Sequence, residues 1–568
     1  MRFWLALTVF TTGLVLSAVG IVNQLENRPL DAIVAAVELD VPTTYVLIPN
    51  DVLTAYEGET TLIARGDTQV FVGLGRESDL VAWLGDSPYV ELALRVRVAE
   101  EKATLIEIDR AGEGQLSDPV GSDIFQSSEI FTRTAELKLE REPEVSALVA
   151  STGLELAPRR LQLTWNLEDG APPVAPITLF GLGLIALGGI LGLWAAMDYG
   201  SKFRSKRTRS KPKKSRSRSM PRAASRPSSP ASGRRAARLP LVVAMAGVLS
   251  LSGCVAEYEN PTLVPNPLPA VDTLTAVMDR PQLERILDDV ELVVSQADEN
   301  LDRESIEARV DGPALQIRRY AYNLASRSEE GVNLPTELKT SPIQLFLPSA
   351  TDTWPRSVMV VTGEQELQML VLRQESAREQ YKLYHYIDLL PGATFPEVAA
   401  ETVGANAIRE DNRFLFASPL VIPDLVGELL NDGPSAPASL LLDPDNGYIR
   451  DVSSVQRGLA ETLSNANLDF AHALGDFSLV MLATADGGAL VSMLMVDTYT
   501  IIPSEPGDAV AISGNEALLL GSSGSATGIE TRYGSMLLFH IPSGGADARI
   551  TLLGATQQLM TAVALVAQ

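Results

Sequence analysis

The sequence predicts a multidomain membrane protein: an N-terminal all-β outer domain between two transmembrane helices, then a C-terminal α+β region of two helix-plus-curved-antiparallel-sheet units. Three observations lead there. Two long uncharged runs, Phe3–Val22 and Ile177–Met197, bracket a stretch of short strand-type runs. A dense basic segment follows the second of them. Beyond residue 272, apolar residues recur first at helical spacing and then in short runs divided by turns.

Charge narrows the class further. The 568-residue chain carries a net charge of −25, yet residues 201–238 hold fifteen Lys/Arg and no Asp/Glu, so the remainder carries −25 − 15 = −40. An acidic surface of that size keeps outer domains soluble and argues against nucleic acid as a partner. The lone cysteine, Cys254, excludes intramolecular disulfides and Cys-based zinc sites. Three histidines, His385, His472 and His540, lie in different segments without metal-ligand spacing, so no metal and no cofactor is expected.

The elements follow in chain order. Residues 3–22 are long enough to span about 30 Å of hydrocarbon. A cleaved signal is the other reading, although no clean Ala-x-Ala site ends the run. Residues 23–175 form the β domain, with strands expected at Thr44–Ile48, Thr60–Ala64, Gln69–Val72, Tyr89–Val98, Ala103–Ile108, Glu136–Leu139 and Leu161–Trp165. Arg76-Glu77-Ser78-Asp79 before Leu80-Val81-Ala82-Trp83 reads either as a binding patch or, preferably, as a helix start with Ser78 or Asp79 as N-cap and Trp83 in the core. Residues 177–197 are the second span, with Gly181, Gly183, Gly188 and Gly189 suited to close helix packing.

Residues 198–238 read as a disordered basic cytoplasmic linker, and 201–238 suit contact with anionic lipid. Residues 239–254 follow. Their thirteen apolar residues, Leu239–Leu251, are short for a span and right for a signal h-region. The positive-inside rule then places 198–238 in the cytoplasm, with 23–175 and 255–568 on the outer face. Residues 255–272 are a Pro/Asn-rich tether.

Residues 273–400 are read as the first α+β unit. Leu283, Ile286, Leu287, Val290, Val293 and Val294 mark a helix, Asp302–Arg309 a second and Ala314–Ser326 a third. Strands are expected at Ile343–Leu347, Ser357–Thr362, Leu367–Arg373 and Tyr381–Leu390. After a linker, 401–435, residues 436–568 form the second unit. It has a helix over Val452–Leu474, a hairpin of Ser478–Ala485 and Ala489–Val496 around Asp486-Gly487-Gly488, and another of Met536–Ile541 and Ala548–Leu553. This order resembles the cystatin-like, nuclear-transport-factor-like cone.

Leu251-Ser252-Gly253-Cys254 resembles a bacterial lipoprotein signal box, which is lipidated on the cysteine sulfur and cut just before it. Trp354-Pro355-Arg356, Tyr381-Lys382-Leu383-Tyr384, Ala485-Asp486-Gly487-Gly488-Ala489 and His540-Ile541-Pro542 are similar to an uncharacterised group of actinobacterial membrane lipoproteins, whose C-terminal domain is one of unknown function. That resemblance implies a cell-envelope protein and supplies no catalytic residues. If the box is processed, the chain becomes two proteins; the other reading leaves Cys254 as an unmodified thiol beside a short third span.

The sequence carries no complete catalytic signature. Ser523 in Gly521-Ser522-Ser523-Gly524-Ser525 lacks the second glycine of a nucleophile elbow. His385 between two tyrosines reads as a structural group rather than a ligand-orienting one. Asp298 and Asp302 read as helix caps rather than an acid–base pair. The leading expectation is a membrane-anchored, non-enzymatic envelope lipoprotein that presents outer domains to an exported protein or envelope polymer. Two alternatives stand beside it: a small-ligand-binding or enzymatic cone with its pocket in 275–400, and an accessory subunit of a membrane complex.

Overall fold

A computed structural model describes residues 2–26, 32–97, 102–167, 176–202, 274–329, 333–545 and 548–566. The tether 255–272, the apolar run with Leu251, Ser252, Gly253 and Cys254, and nearly all of the basic segment lie outside the described residues. The chain divides into two compact units. One contains helices Arg2–Glu26 and Pro176–Lys202; the other contains Val34–Thr54, Thr60–Leu163 and the C-terminal half.

Both helices of the first unit are long and apolar enough to cross a membrane. They run antiparallel, with Phe10 beside Gly188 and Gly20 beside Thr178. A Cβ on Gly13 would lie 2.7 Å from the Ile185 nitrogen, and one on Gly188 would lie 2.7 Å from the Phe10 nitrogen. Glycine at these seam positions lets the two backbones approach. Gly181 joins the same seam against Ser17, whereas Gly183 and Gly189 have nothing within 4 Å and stay on the open face.

In the second unit the N-terminal region is β-rich. All seven expected strands are present, and Ala32–Glu38, Ser127–Phe131 and Val145–Ser151 join them. One sheet has four strands in the order Ala32–Glu38, Arg160–Asn166, Glu59–Arg65, Thr134–Leu139. The other has six, in the order Lys102–Arg110, Tyr89–Arg97, Tyr45–Ile48, Val145–Ser151, Val70–Arg76, Ser127–Phe131. Tyr45–Ile48 pairs in parallel with Tyr89–Arg97. Helix Glu77–Leu84 leaves the end of Val70–Arg76 and buries Leu80, Trp83 and Leu84.

The C-terminal half is mixed α/β. Helix Arg280–Asn300 starts where the Asp279 carboxylate accepts from the Gln282 amide at 2.8 Å, and it buries Leu283, Ile286, Leu287, Val290 and Val294. Asp302–Arg309 is not a helix but a single 3₁₀ turn, Ser305–Ala308. Helix Gly312–Ala325 follows, then an antiparallel meander of Ile343–Pro348, Arg356–Thr362, Gln368–Gln374 and Lys382–Asp388. The second sheet runs Ala466–Leu474, Ala489–Pro503, Ile529–Ile541, Thr551–Ala564, with Val480–Ala483 paired to Ala489–Pro503.

Three expectations change here. Val452–Leu474 is helical only as part of Gly447–Thr462; Ala466–Leu474 is a strand whose exposure alternates along its length. The 401–435 stretch, read as a linker, contains helix Ile422–Asp432. The two stretches read as separate α+β units share one core, in which Leu370 and Tyr386 pack with Leu490 and Met536. The central strands of the second sheet are buried on both faces. Leu490, Leu494, Met536 and Leu538 point into that core, while Val491, Met493, Leu537 and Phe539 meet helices Ile422–Asp432 and Gly447–Thr462.

Candidate functional site: a buried arginine–aspartate interface

The Arg76–Asp79 cluster does not cap its helix. Arg76 occupies the N-cap position in an extended conformation, and no side chain caps the turn. Asp79 instead turns inward and is 3 % exposed. It accepts from Arg76 Nε and Nη2, both at 2.9 Å, and from Arg356 Nη2 at 2.7 Å. Arg356 opens its strand, is 1 % exposed, and stacks 3.7 Å over the Trp354 ring. Arg76 also reaches across to Thr275 Oγ1 at 3.0 Å. The patch therefore binds, and what it binds is the C-terminal half of its own chain.

A second carboxylate repeats the arrangement. Asp123 is fully buried; it accepts from Arg309 Nη1 at 2.5 Å and from the Tyr381 amide at 2.7 Å. Arg309 extends its other nitrogen to Asp289 at 2.7 Å. Burial pushes the Asp123 carboxyl up, and the Arg309 guanidinium pulls it back. Burial likewise pushes the Tyr381 phenol above its usual range.

A further arginine reads main chain. Arg378 donates to the carbonyls of Trp83 at 2.7 Å, Gln115 at 2.6 Å and Leu84 at 2.9 Å, and to Ser87 Oγ at 2.7 Å. Two of those carbonyls close the last turn of helix Glu77–Leu84, where unpaired acceptors and the negative dipole end favour a cation. Trp354 and Ala377 complete the apolar part by packing into the cluster of Tyr45, Trp83 and Phe125.

The C-terminal side of this interface begins at Thr275, and a domain of unknown function, DUF8094, matches residues 274–564. The chain belongs to the DUF8094 family. No curated protein and no solved structure matches it.

Within the DUF8094 region the remaining candidates fall into place. His385 is fully buried, with Nδ1 3.2 Å from Ser492 Oγ, and burial pulls its pKa down to about 3, helped by Arg373. It is a neutral core group. Asp298 is not a cap: it pairs with Arg318, which is wholly buried, and accepts from the Tyr322 hydroxyl at 2.6 Å. Asp302 accepts from the Glu304 and Ser305 amides in the turn before Ser305–Ala308, which lowers its pKa, and the N-cap position there is Glu304. His540 stands 3.7 Å from Asp486, so two of the motifs quoted for the resemblance meet at one hairpin tip. The Gly521–Ser525 segment ends a helix at Gly521 and pairs Gly524–Ser525 with Val510–Ala511.

One polar cluster escapes sequence reading. His472 Nδ1 lies 2.7 Å from Asp497, whose other oxygen accepts from Ser535 at 2.8 Å, and Tyr448 donates to Ser535 at 2.9 Å. The residue types are those of a hydrolytic triad, but the serine bonds to the aspartate rather than to the histidine. Asp497 and Ser535 are fully buried. Only the cross-strand register, which sets His472 opposite Asp497, brings them together. Within 275–400, where a pocket between helices and sheet is expected, Leu283, Ile286, Val290 and Val360 are buried in one core. A cleft of about 330 Å³ lies elsewhere, lined in part by Thr60, Gln126, Lys138 and Asp279.

Proposed function

We propose that the chain is a membrane-anchored cell-envelope lipoprotein of non-enzymatic binding or assembly type, of the actinobacterial kind its motifs resemble. It presents outer-face domains to an exported protein or an envelope polymer. The observation that carries this reading is the interface. Val34–Thr54 and Thr60–Leu163 share one compact unit with the C-terminal half and are joined to it by buried ion pairs, which supports a reading with both on the same side of a membrane. In sequence, helix Pro176–Lys202 stands between them. If that helix spans, the chain recrosses between 203 and 273. The apolar run available there is Leu239–Leu251, directly before Leu251-Ser252-Gly253-Cys254. The fifteen basic residues on its N-terminal side support the same direction of insertion.

Metabolic labelling with a fatty-acid analogue, in wild type and Cys254→Ala, tests the anchor. Label on the wild type alone is expected; equal labelling of both, or of neither, contradicts it. The accessory-subunit reading keeps one observation of its own, since Gly183 and Gly189 leave a smooth open face on the second helix. In that reading, Gly189→Leu shrinks the native complex.

A further inference from the structure

We infer that the interface holds the two halves together without the peptide that joins them, so that a chain cut within 203–273 remains a single one-to-one particle. This inference does not depend on the membrane or lipid reading. It follows from what each half brings.

Residues before the cut supply Asp79 and Asp123, both nearly or wholly buried, and the carbonyls of Trp83, Leu84 and Gln115. Residues after it supply Arg309, Arg356 and Arg378. Gln282 adds a neutral contact, donating to the Asp123 carbonyl at 2.5 Å, and Arg285 donates to the Phe125 carbonyl at 2.6 Å. Asp123 pairs across the interface with Arg309, and Asp79 pairs with Arg356 as well as with Arg76 on its own side; separation removes the cross-interface partners of Asp123 and Arg356. Separation returns these charges to water, so the pairs fix register and partner choice, and a partner lacking the matching charge would leave one buried and unpaired. Apolar burial runs through the same surface, because Trp354 and Ala377 insert beside Trp83 and Phe125. A connecting peptide of this length adds only an effective concentration on the order of millimolar. Once that peptide is cut, the surface alone must hold the fragments together.

The partner is specific in its chemistry. It offers guanidinium groups at the spacing of two buried carboxylates, and a further guanidinium for the C-terminal carbonyls of a short helix. The DUF8094 region of this chain meets all three conditions.

The test uses the full chain in detergent, with a protease site placed between Glu259 and Pro269. After cutting, gel filtration at about 100 nM should return one peak of the uncut size containing both fragments in equal amounts. Two separate peaks would overturn the inference. Asp79→Asn, which leaves two buried arginines unmatched, should weaken fragment association by at least about thirtyfold. If that variant fails to fold, Arg378→Ala serves instead and should weaken association about tenfold. Unchanged association in the variant that folds would overturn the assignment of the surface.

Discussion

Asp79 shows how a residue's local reading gives way to a distant one. Its place after Arg76-Glu77-Ser78 suits an N-cap, since a short carboxylate there satisfies free amides. Beside Arg76, its partner is Arg356, which is 277 positions away and has no local signature. Replacing Asp79 with Asn leaves Arg76 and Arg356 buried without a counter-charge and should cost about 3–5 kcal/mol in chemical denaturation. A loss below about 1 kcal/mol would mean the pair is solvated. His385 gives the second residue-scale prediction. Its folded pKa of about 3 lies below the ordinary 6.5, so the unfolded chain binds more protons between those values. Stability is complete above about pH 6.5 and falls as pH drops toward 3, by at most about 1.4 kcal/mol per pH unit from this group. His385→Asn should flatten that part of the profile, read from urea midpoints between pH 4 and 7.

At the scale of elements, period decides what is legible. Helix Arg280–Asn300 can be read because its apolar residues repeat on one face and Asp279 and Pro281 mark its start. Ala466–Leu474 merges, in sequence, with the helix before it, although Leu468, Phe470 and His472 alternate with their neighbours and the turn after Thr462 separates the two elements. Val145–Ser151 is hidden for the opposite reason: it is a central strand, buried on both faces, and so shows no alternation. The two long apolar helices are plain in the sequence, but the choice between Gly181 and Gly183 is not, because only packing against Gly13 and Ser17 distinguishes them. Gly13→Leu should therefore lower the thermal midpoint of the detergent-solubilised chain, by overpacking of about 1–3 kcal/mol. Gly183→Leu should leave it in place. Equal effects would show that the seam lies elsewhere.

At the scale of the whole molecule, the sequence displays long apolar runs and most strands, while the joining of Val34–Thr54 and Thr60–Leu163 to the C-terminal half is not visible in it. Ion pairs between segments separated by the second helix carry no periodicity. The words Trp354-Pro355-Arg356 and Tyr381 stand out only as a resemblance, and the structure gives them a shared place: Trp354, Arg356 and the Tyr381 amide all serve the interface. If the second helix spans a membrane, that joining requires both segments to lie on the same side, since one folded body cannot straddle a bilayer. It is tested most directly by single cysteines in the Cys254→Ala chain, at Leu156 (57 % exposed) and Leu440 (70 % exposed), with Ser217 in the basic segment as the inner control. A membrane-impermeant maleimide applied to intact cells should label the Leu156→Cys and Leu440→Cys chains alike and leave Ser217→Cys unlabelled until the cells are opened. Labelling at only one of the first two positions would place the halves on opposite sides and contradict the account.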